Sequence, residues 1–411
     1  MRIHLLGRIA VAVCVAATGV RAEELTERQA LERFLSEGPY QRRLEATVAV
    51  AEAETSGWSL WPNPSAGYIR EGAGLTEFYQ FEQPLAVSGR LSFRRKAGVA
   101  AVDATRSLTD YERWQQVSDV RSAFYTLLAA QDRGTLIDAG VSQLDEVVRI
   151  LSLREREGEG STYDRLRAER ERSEVIAERI SAQVSAAQAS SRLGEFLGTT
   201  PGRGGLQALG ELDSGYDLPS VSALLDRALG VRGDYAAQSH LQIQFQFEAD
   251  GARRLRIPEP SVLAGLKRAD VGGRIENGGF VAVSVPLPLF NRGKTEVARY
   301  RAEADRAEAH SQILERRIRA EVTAAHETVT LRRQGLADYR RQVQQANLRL
   351  EEIARTAYQE GEVGILELLD AYSVSLQTRL RTLELASAAR QAEIELERAV
   401  GEPVLNNEVL P

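Results

Sequence analysis

Two acidic residues near the C-terminal end of the chain have a type and spacing that could act on ions. Glu367 and Asp370 are three positions apart in a segment of helical composition, so they share one helix face. This face differs from the apolar stripe that starts at Ile365. If copies of this helix surround a pore, the acids form carboxylate rings that favour cations. Alternatively, acids in the first turn of a helix complement its dipole.

Patterns typical of enzymes and of metal sites are absent from the sequence. No nucleophile–base motif, phosphate loop or dinucleotide fingerprint occurs. The histidines are scattered, and neither paired cysteines nor a methionine cluster accompanies them, so we expect neither a metal site nor a cofactor. A net charge of −6 and a pI near 5.6 argue against a nucleic-acid partner.

The acidic pair lies just after a turn that occurs twice in the chain. Segment 358–371, YQEGEVGILELLDA, joins long proline-free segments at about 293–359 and 365–399, and 156–168 is a partial copy of it. Gly361 minus Gly158 is 203, and the same spacing separates two further pairs, Ala168 from Ala371 and Gly198 from Gly401. The chain is therefore predicted to be a tandem repeat of helical hairpins, with glycines that permit tight turns.

The repeat divides the chain into predicted parts. Residues 1–22 resemble a secretory signal, with a basic start, an apolar core and a small-residue cleavage site. Cys14 lies inside that core, so no lipidation is expected. The first repeat spans 23–198, a linker or equatorial segment 199–233, the second repeat 234–401 and a C-terminal tail 402–411.

Each repeat also contains two strand candidates before its long helix. They lie at about 65–71, 75–83, 261–268 and 279–285, and proline ends a strand at Pro84 and its counterpart Pro286. Strands of about 9–11 residues can cross a membrane, but four cannot close a barrel, for which about eight are the minimum. Several chains must therefore share one barrel, or the strands form a soluble cap on a coiled coil.

The second long helix is predicted to be part of a rod or tube. Apolar or small residues recur along it at spacings of three and four, and successive four-residue steps at Leu314, Ile318 and Val322 form a stutter that locally unwinds a coiled coil. At 1.5 Å per residue its length is about 100 Å. The predicted fold class is thus mainly α with a small β part.

The order of elements and four motifs together resemble the TolC family of outer-membrane efflux channels. The motifs are WPNPSAGYI at 61–69, FEQPLAVSGRL at 81–91, VSVPLPLFNRGKTEVARYRAEA at 283–304 and YQEGEVGILELLDA at 358–371. The first three look most like the heavy-metal (CzcC/CusC-like) branch. One departure is Arg232-Gly233-Asp234-Tyr235, where the family usually has Arg-Pro-Asp-Leu.

The resemblance implies a homotrimer that shares one 12-stranded barrel in outer-membrane lipid, with a helical tube through the periplasm. Both helical turns then meet a periplasmic adaptor and an inner-membrane pump, as expected for an RND-type system. The implied function is an export duct of a tripartite efflux system, with heavy-metal cations one candidate substrate. A different hypothesis is a periplasmic coiled-coil adaptor or scaffold without channel activity.

The resemblance also implies roles for single residues. LELLDA matches the family's acidic constriction, so Glu367 and Asp370 are candidate gate and selectivity residues. Asp164 and Tyr358 match positions that latch the closed end, although Val363 replaces the family's latch arginine. The Ser161–Asp164 segment is alternatively a capping box. Gly158 and Gly361 are candidate contacts for the adaptor.

Overall fold

The computed structural model describes residues 23–72, 75–199, 205–213 and 215–405. The predicted signal peptide therefore lies outside the described residues, as do residues 406–411 of the predicted tail.

Helices make up most of the described chain. They are α1 (Glu27–Glu37), α2 (Pro39–Ser56), α3 (Arg90–Arg156), α4 (Thr162–Leu197), α5 (Val221–Val231), α6 (Gly233–Arg253), α7 (Lys294–Tyr339), α8 (Gln345–Glu360) and α9 (Ile365–Val400). The strands are β1 (Glu23–Thr26), β2 (Ser65–Glu71), β3 (Thr76–Pro84), β4 (Leu206–Leu209), β5 (Ser261–Val271) and β6 (Arg274–Ser284). The order helix, strand pair, long helix, turn, helix occurs twice, from α2 to α4 and from α6 to α9.

Local sequence explains where the first helices begin. A capping box begins α1: Gln29 N donates to Thr26 Oγ1 at 3.3 Å, and Thr26 N donates to Gln29 Oε1 at 2.9 Å. Pro39 occupies the first turn of α2, where its missing N–H leaves no helical bond unmade. The chain therefore ends α1 at Glu37 and begins a separate helix, α2, at Pro39.

The long helix before the second turn differs from the prediction in one place. The apolar seam is confirmed, because Leu314, Ile318 and Val322 are all buried. Between α7 and α8, however, residues Arg340–Gln344 form a turn of π-helix. A π turn adds one residue to the helical repeat, so the seam changes its phase there. No glycine or proline marks this point, and the sequence did not predict it.

The long helices form an open layer. In one half of the molecule α2, α3, α6 and α7 lie side by side, and in the other half the order is α4, α3, α9 and α7–α8. Helices at the layer's edges carry exposed apolar side chains, among them Ile180 on α4 and Ile353 on α8. Within the described residues, no helix combines the length and apolar composition required to cross a membrane.

A four-stranded antiparallel sheet with the order β2–β3–β5–β6 lies at one end of the layer. The predicted bounds of β2 are confirmed, and Pro84 ends β3 as predicted. Strands β5 and β6 are longer than predicted and meet at a two-residue turn. Gly272 and Gly273 both have positive φ there, at 64° and 84°, which is the geometry of the tightest hairpin turns. Pairing therefore extends to Val271 and Arg274.

The two faces of this sheet differ in chemistry. Residues opposite one another in antiparallel strands share a face, and the pairing register places one set of exposed apolar side chains together: Tyr68, Tyr79, Phe81, Leu266, Val281 and Val283. The Tyr68 and Tyr79 rings are 5.1 Å apart. More polar residues occupy the opposite face, including Ser65, Glu82 and Lys267.

A second, small sheet was missed by sequence reasoning. Strands β1 and β4 pair in parallel, with Glu23 opposite Leu206, so the start of the described chain is joined to the segment between the repeats. Both strands have four residues, too few for a visible alternation of apolar and polar side chains. Leu206 and Ala208 are buried in the main core. The predicted tail is also partly packed, because Val404 and Leu405 are buried in a second core.

Candidate functional site

The two predicted turns have the same backbone geometry. Gly158 and Gly361 have φ of 79° and 78°, in the left-handed region that favours glycine. At the first turn Gly158 N donates to Glu155 O at 3.1 Å and Glu159 N to Arg154 O at 2.9 Å. At the second turn Gly361 N donates to Tyr358 O at 3.2 Å and the next N–H to Ala357 O at 2.8 Å.

These paired bonds form a Schellman motif at the end of α3 and another at the end of α8. A Cβ at Gly158 or at Gly361 would meet no atom within 4 Å. Both glycines are exposed. The turns thus present small, accessible surfaces held by backbone bonds, which suits the close approach of another protein.

An ion pair braces the first turn. Glu155 accepts a bond from Thr162 Oγ1 at 2.6 Å and a second from Arg165. The bond from Thr162, followed by that from Arg165, holds the pKa of the Glu155 carboxyl below its usual range. Since Glu155 belongs to α3 and the other two residues to α4, the pair joins the helices on either side of the turn.

The two predicted latch residues lie in different surroundings. Ser161 caps α4 by accepting from Tyr163 N at 3.1 Å, and Asp164 is half-buried in the first helical turn. Tyr358 packs against the buried cluster between the turns, with the Arg154 guanidinium 5.6 Å from its ring centre. Among the described residues of one protomer, neither Asp164 nor Tyr358 forms a side-chain hydrogen bond.

The predicted acidic face is present on α9. Ile365, Leu368 and Leu369 are buried, whereas Glu367 and Asp370 are exposed. The Glu367 carboxylate folds back over Gly364, the residue before the helix, where an added Cβ would lie 3.1 Å from Oε2. This position suits interaction with the helix dipole. Asp370 lies beyond the first turn, where the dipole acts weakly.

A polar cluster that the sequence did not reveal joins three helices beyond the turns. Glu351 of α8 accepts from Gln143 of α3 at 3.0 Å, from Arg379 of α9 at 2.9 Å and from Ser375. Asn347 donates to Thr378 one helical turn away. These contacts fix α8 to its neighbours. In the sequence they appear as ordinary surface polar residues.

A buried charge network was also missed. Arg121 is 2% exposed and Glu397 1%; they are hydrogen-bonded to one another, and Arg121 Nε donates to Glu27 at 2.6 Å. Glu397 Oε1 also accepts from the N–H groups of Val404 and Leu405, each at 2.9 Å. The network thus ties α1, α3, α9 and the chain's C-terminal segment together.

Two further groups extend this network. Tyr125 donates to Glu27 at 2.6 Å and accepts from Arg390, while Arg390 donates to Glu393 at 3.0 Å. Burial, followed by the charge of Glu27, raises the pKa of Tyr125. For Arg121, burial alone would lower the pKa, but Glu397 and Glu27 raise it overall.

Comparisons with known proteins agree with this architecture. No protein-family model matches the chain. The cobalt-zinc-cadmium resistance protein CzcC of Cupriavidus metallidurans is 24% identical over 350 residues, 83% of this chain and 81% of the relative. The outer-membrane channel OprN is 19% identical with a TM-score of 0.74, over 91% of this chain and 89% of that one. CusC is 18% identical with a TM-score of 0.72, over 92% of each chain.

The fold is therefore that of TolC-like outer-membrane channels. The predicted resemblance to the TolC family is confirmed, and the chain is similar in sequence to CzcC.

Proposed function

We propose that this chain is the outer-membrane channel of a tripartite efflux system. The observation that carries the proposal is that the sheet and the helix layer of one chain both end in open edges. Its sheet ends at the unpaired edges of β2 and β6, and its helix layer ends at α2 and α7 in one half and at α4 and α8 in the other. Each layer contributes four elements side by side, so three copies supply twelve.

The sheet chemistry supports a membrane location for that end. In a closed barrel, the apolar face containing Tyr68, Phe81 and Val281 contacts lipid, and the more polar face lines the water-filled interior. Closure also removes exposed sheet edges, whose free N–H and C=O groups are costly in lipid. The helical layer then extends into the periplasm, with both turns at the end farthest from the sheet.

This arrangement suggests a role for each of the candidate site residues. Glu367 and Asp370, exposed on α9 near the turns, form carboxylate rings in the bore and favour cations. Asp164 and Tyr358 contribute to a latch between neighbouring helices. Gly158 and Gly361 form the tips that meet a periplasmic adaptor, which connects the channel to an inner-membrane pump of RND type.

The proposed substrate class follows from a relative together with the acidic face. CzcC is named for resistance to cobalt, zinc and cadmium, and carboxylate rings attract such cations. Among the described residues, no group of three or more potential metal ligands lies together. The channel would therefore pass cations selected by its pump without binding them tightly itself.

Membrane fractionation and single-channel recording test the proposed function. We expect the full-length protein in the outer-membrane fraction, as a trimer that produces discrete conductance steps in a planar bilayer. A soluble periplasmic monomer without conductance would refute the channel and favour the adaptor or scaffold.

Reversal potentials test the acidic rings. The double variant Glu367→Ala with Asp370→Ala is expected to lower cation over anion selectivity, because it removes fixed negative charge from the bore. Glu395→Ala is a matched control, since this exposed acid lies near the other end of α9. Unchanged reversal potentials in a salt gradient for the double variant would refute the rings.

Bulky substitution tests the tips. Gly361→Trp is expected to abolish efflux in cells while trimers still form. Gly198→Trp is the matched control, because Gly198 also has positive φ and no atom within 4 Å of an added Cβ, but ends α4 far from the turns. Both variants introduce the same backbone strain. Equal resistance in cells carrying either variant would contradict an adaptor contact at Gly361.

A further inference from the structure

The edge strands of the four-stranded sheet need a partner. All residues of β2 are exposed, and so are those of β6 except the half-buried Phe280. Long exposed edge strands with apolar residues aggregate unless another strand covers them. Under the proposed function, on which this inference rests, the partner is a second copy of this chain.

The internal repeat shows how the two copies should pair. Within one protomer, β3 of the first repeat pairs with β5 of the second, so that Pro84 lies opposite Ser261. This junction between repeats is the equivalent of the junction between β6 of one protomer and β2 of the next. The register between β6 of one protomer and β2 of the next therefore follows once equivalent residues of the two repeats are matched.

Two offsets match the strands of the repeats. Ser261 minus Ser65 is 196, for β5 against β2, and Pro286 minus Pro84 is 202, for β6 against β3. The hairpins test these offsets independently. Ser65 pairs with Glu82 in the first hairpin, so the offsets require residue 261 to pair with residue 284 in the second. Ser261 does pair with Ser284.

The chain just beyond the strands gives a second check. Val87 N donates to Leu85 O at 2.9 Å after β3, and Leu289 N donates to Leu287 O at 2.8 Å after β6. Both pairs are related by the offset of 202. The local turn that follows each proline is thus the same in both repeats.

We propose that β6 of one protomer pairs antiparallel with β2 of the next in the register given by these offsets. Phe81 lies opposite Ala264 within the chain, so Val283 lies opposite Tyr68 of the partner subunit. In the same way, the pairing of Tyr79 with Leu266 places Val281 opposite Arg70 of the partner subunit.

The sheet faces agree with this register. Residues that lie opposite one another must share a face. Val283 and Tyr68 both belong to the exposed apolar face of the protomer's own sheet. A register shifted by one residue would place the polar face of one protomer beside the apolar face of the next.

The register also predicts a backbone hydrogen bond immediately beyond the paired residues of β6 and β2. Leu85 N donates to Pro260 O at 2.8 Å where the two repeats meet. Its equivalent between protomers is a bond from Leu287 N to the carbonyl of Pro64 of the partner subunit. In the protomer, Leu287 is 71% exposed, and this contact would cover it.

Disulfide cross-linking tests the register. Cys14 is the chain's one cysteine, so a Cys14→Ser background carries no other thiol. Val283→Cys with Tyr68→Cys is expected to produce bands at two and three times the protomer mass on a non-reducing gel. Opposite residues have Cβ atoms about 4.5–5.5 Å apart, close to the range that a disulfide requires. Reductant should return all protein to the protomer band.

Two shifted pairs are the matched controls. Val281→Cys and Val285→Cys, each combined with Tyr68→Cys, are two residues out of register and should cross-link at least about tenfold less, because diagonal Cα atoms lie about 7–8 Å apart. Phe81→Cys with Ala264→Cys should close within the protomer without changing its mass. That result confirms that the sheet has formed.

The outcomes separate the register from the proposed function. Stronger cross-linking of a shifted pair, or no cross-linking of Val283→Cys with Tyr68→Cys in trimers that conduct ions, overturns the register alone. Absence of both trimers and conductance from the unsubstituted protein refutes the proposed function and the register with it.

Discussion

Replacing Glu397 by alanine is expected to destabilise the protomer strongly. The substitution leaves Arg121, itself 2% exposed, with Glu27 as its remaining carboxylate partner. It also removes the acceptor of the Val404 and Leu405 N–H groups. Breaking a buried ion pair costs about 3–5 kcal/mol, and each buried donor left without a partner costs about 1–3 kcal/mol.

The expected loss is about 4 kcal/mol, since relaxation and water entry offset part of these terms. Unfolding entropy of about 2.1 cal/mol/K per residue amounts to roughly 0.8 kcal/mol/K for a chain of this size, so Tm should fall by about 5 °C. The assay is thermal unfolding of the detergent-purified protein, followed by circular dichroism at 222 nm.

Two further variants show whether the reasoning is correct. Glu315→Ala removes an exposed partner of Arg319, and its effect should stay within about 0.5 kcal/mol. Glu397→Gln keeps an acceptor for the two backbone N–H groups but loses the charge, so its Tm should lie between those of Glu397→Ala and the unsubstituted protein. If Glu397→Ala melts within 1 °C of Glu315→Ala, the buried network does not stabilise the protomer as described.

Two other predictions concern backbone approach and pH. An added Cβ at Gly233 would lie 2.0 Å from Ser107 O, so Gly233→Ala should lower the free energy of unfolding by about 1–3 kcal/mol. The control Gly230→Ala, with no atom within 4 Å of its added Cβ, should not lower Tm. Equal Tm values for the two variants would contradict the close approach at Gly233. Thr162 and a neighbouring arginine lower the pKa of the Glu155 carboxyl in the folded protein. The contacts of Glu155 therefore stabilise the fold above the ordinary carboxyl pKa of about 4.3. This stabilisation is lost as the pH falls through the lower pKa of the folded state. Pepsin should therefore cut the first turn of the unsubstituted protein more slowly than that of Glu155→Gln at pH 5 and equally fast at pH 2, whereas equal rates at both pH values would count against the contact.

Much of the fold could be predicted because its signals are local. Gly158 and Gly361 occupy the left-handed positions that end α3 and α8, and Pro84 ends β3. The seam through Ile318 is buried along α7. Proline and glycine restrict or permit backbone angles wherever they occur, so a single sequence was sufficient.

The candidate site could be predicted only in part. The exposure of Glu367 and Asp370 followed from helical spacing, because Leu368 and Leu369 occupy the buried face between them. The contacts of Glu351 could not be anticipated, since its partners come from two other helices. The roles of the acidic face and the latch remain predictions that depend on the proposed trimer.

The sequence by itself determined the long helices, the two turns, the strand pairs and the tandem repeat, since each follows from spacing or from residues that restrict the backbone locally. The tertiary structure decided which charges are buried. Arg121 and Glu397 are 276 positions apart, and in the sequence each belongs to a mixed-charge helix that resembles a solvated surface. The tertiary structure also decided the pairing of β1 with β4 and the register of β3 with β5. Burial and strand pairing depend on which distant segments come into contact. A local sequence pattern does not specify those segments.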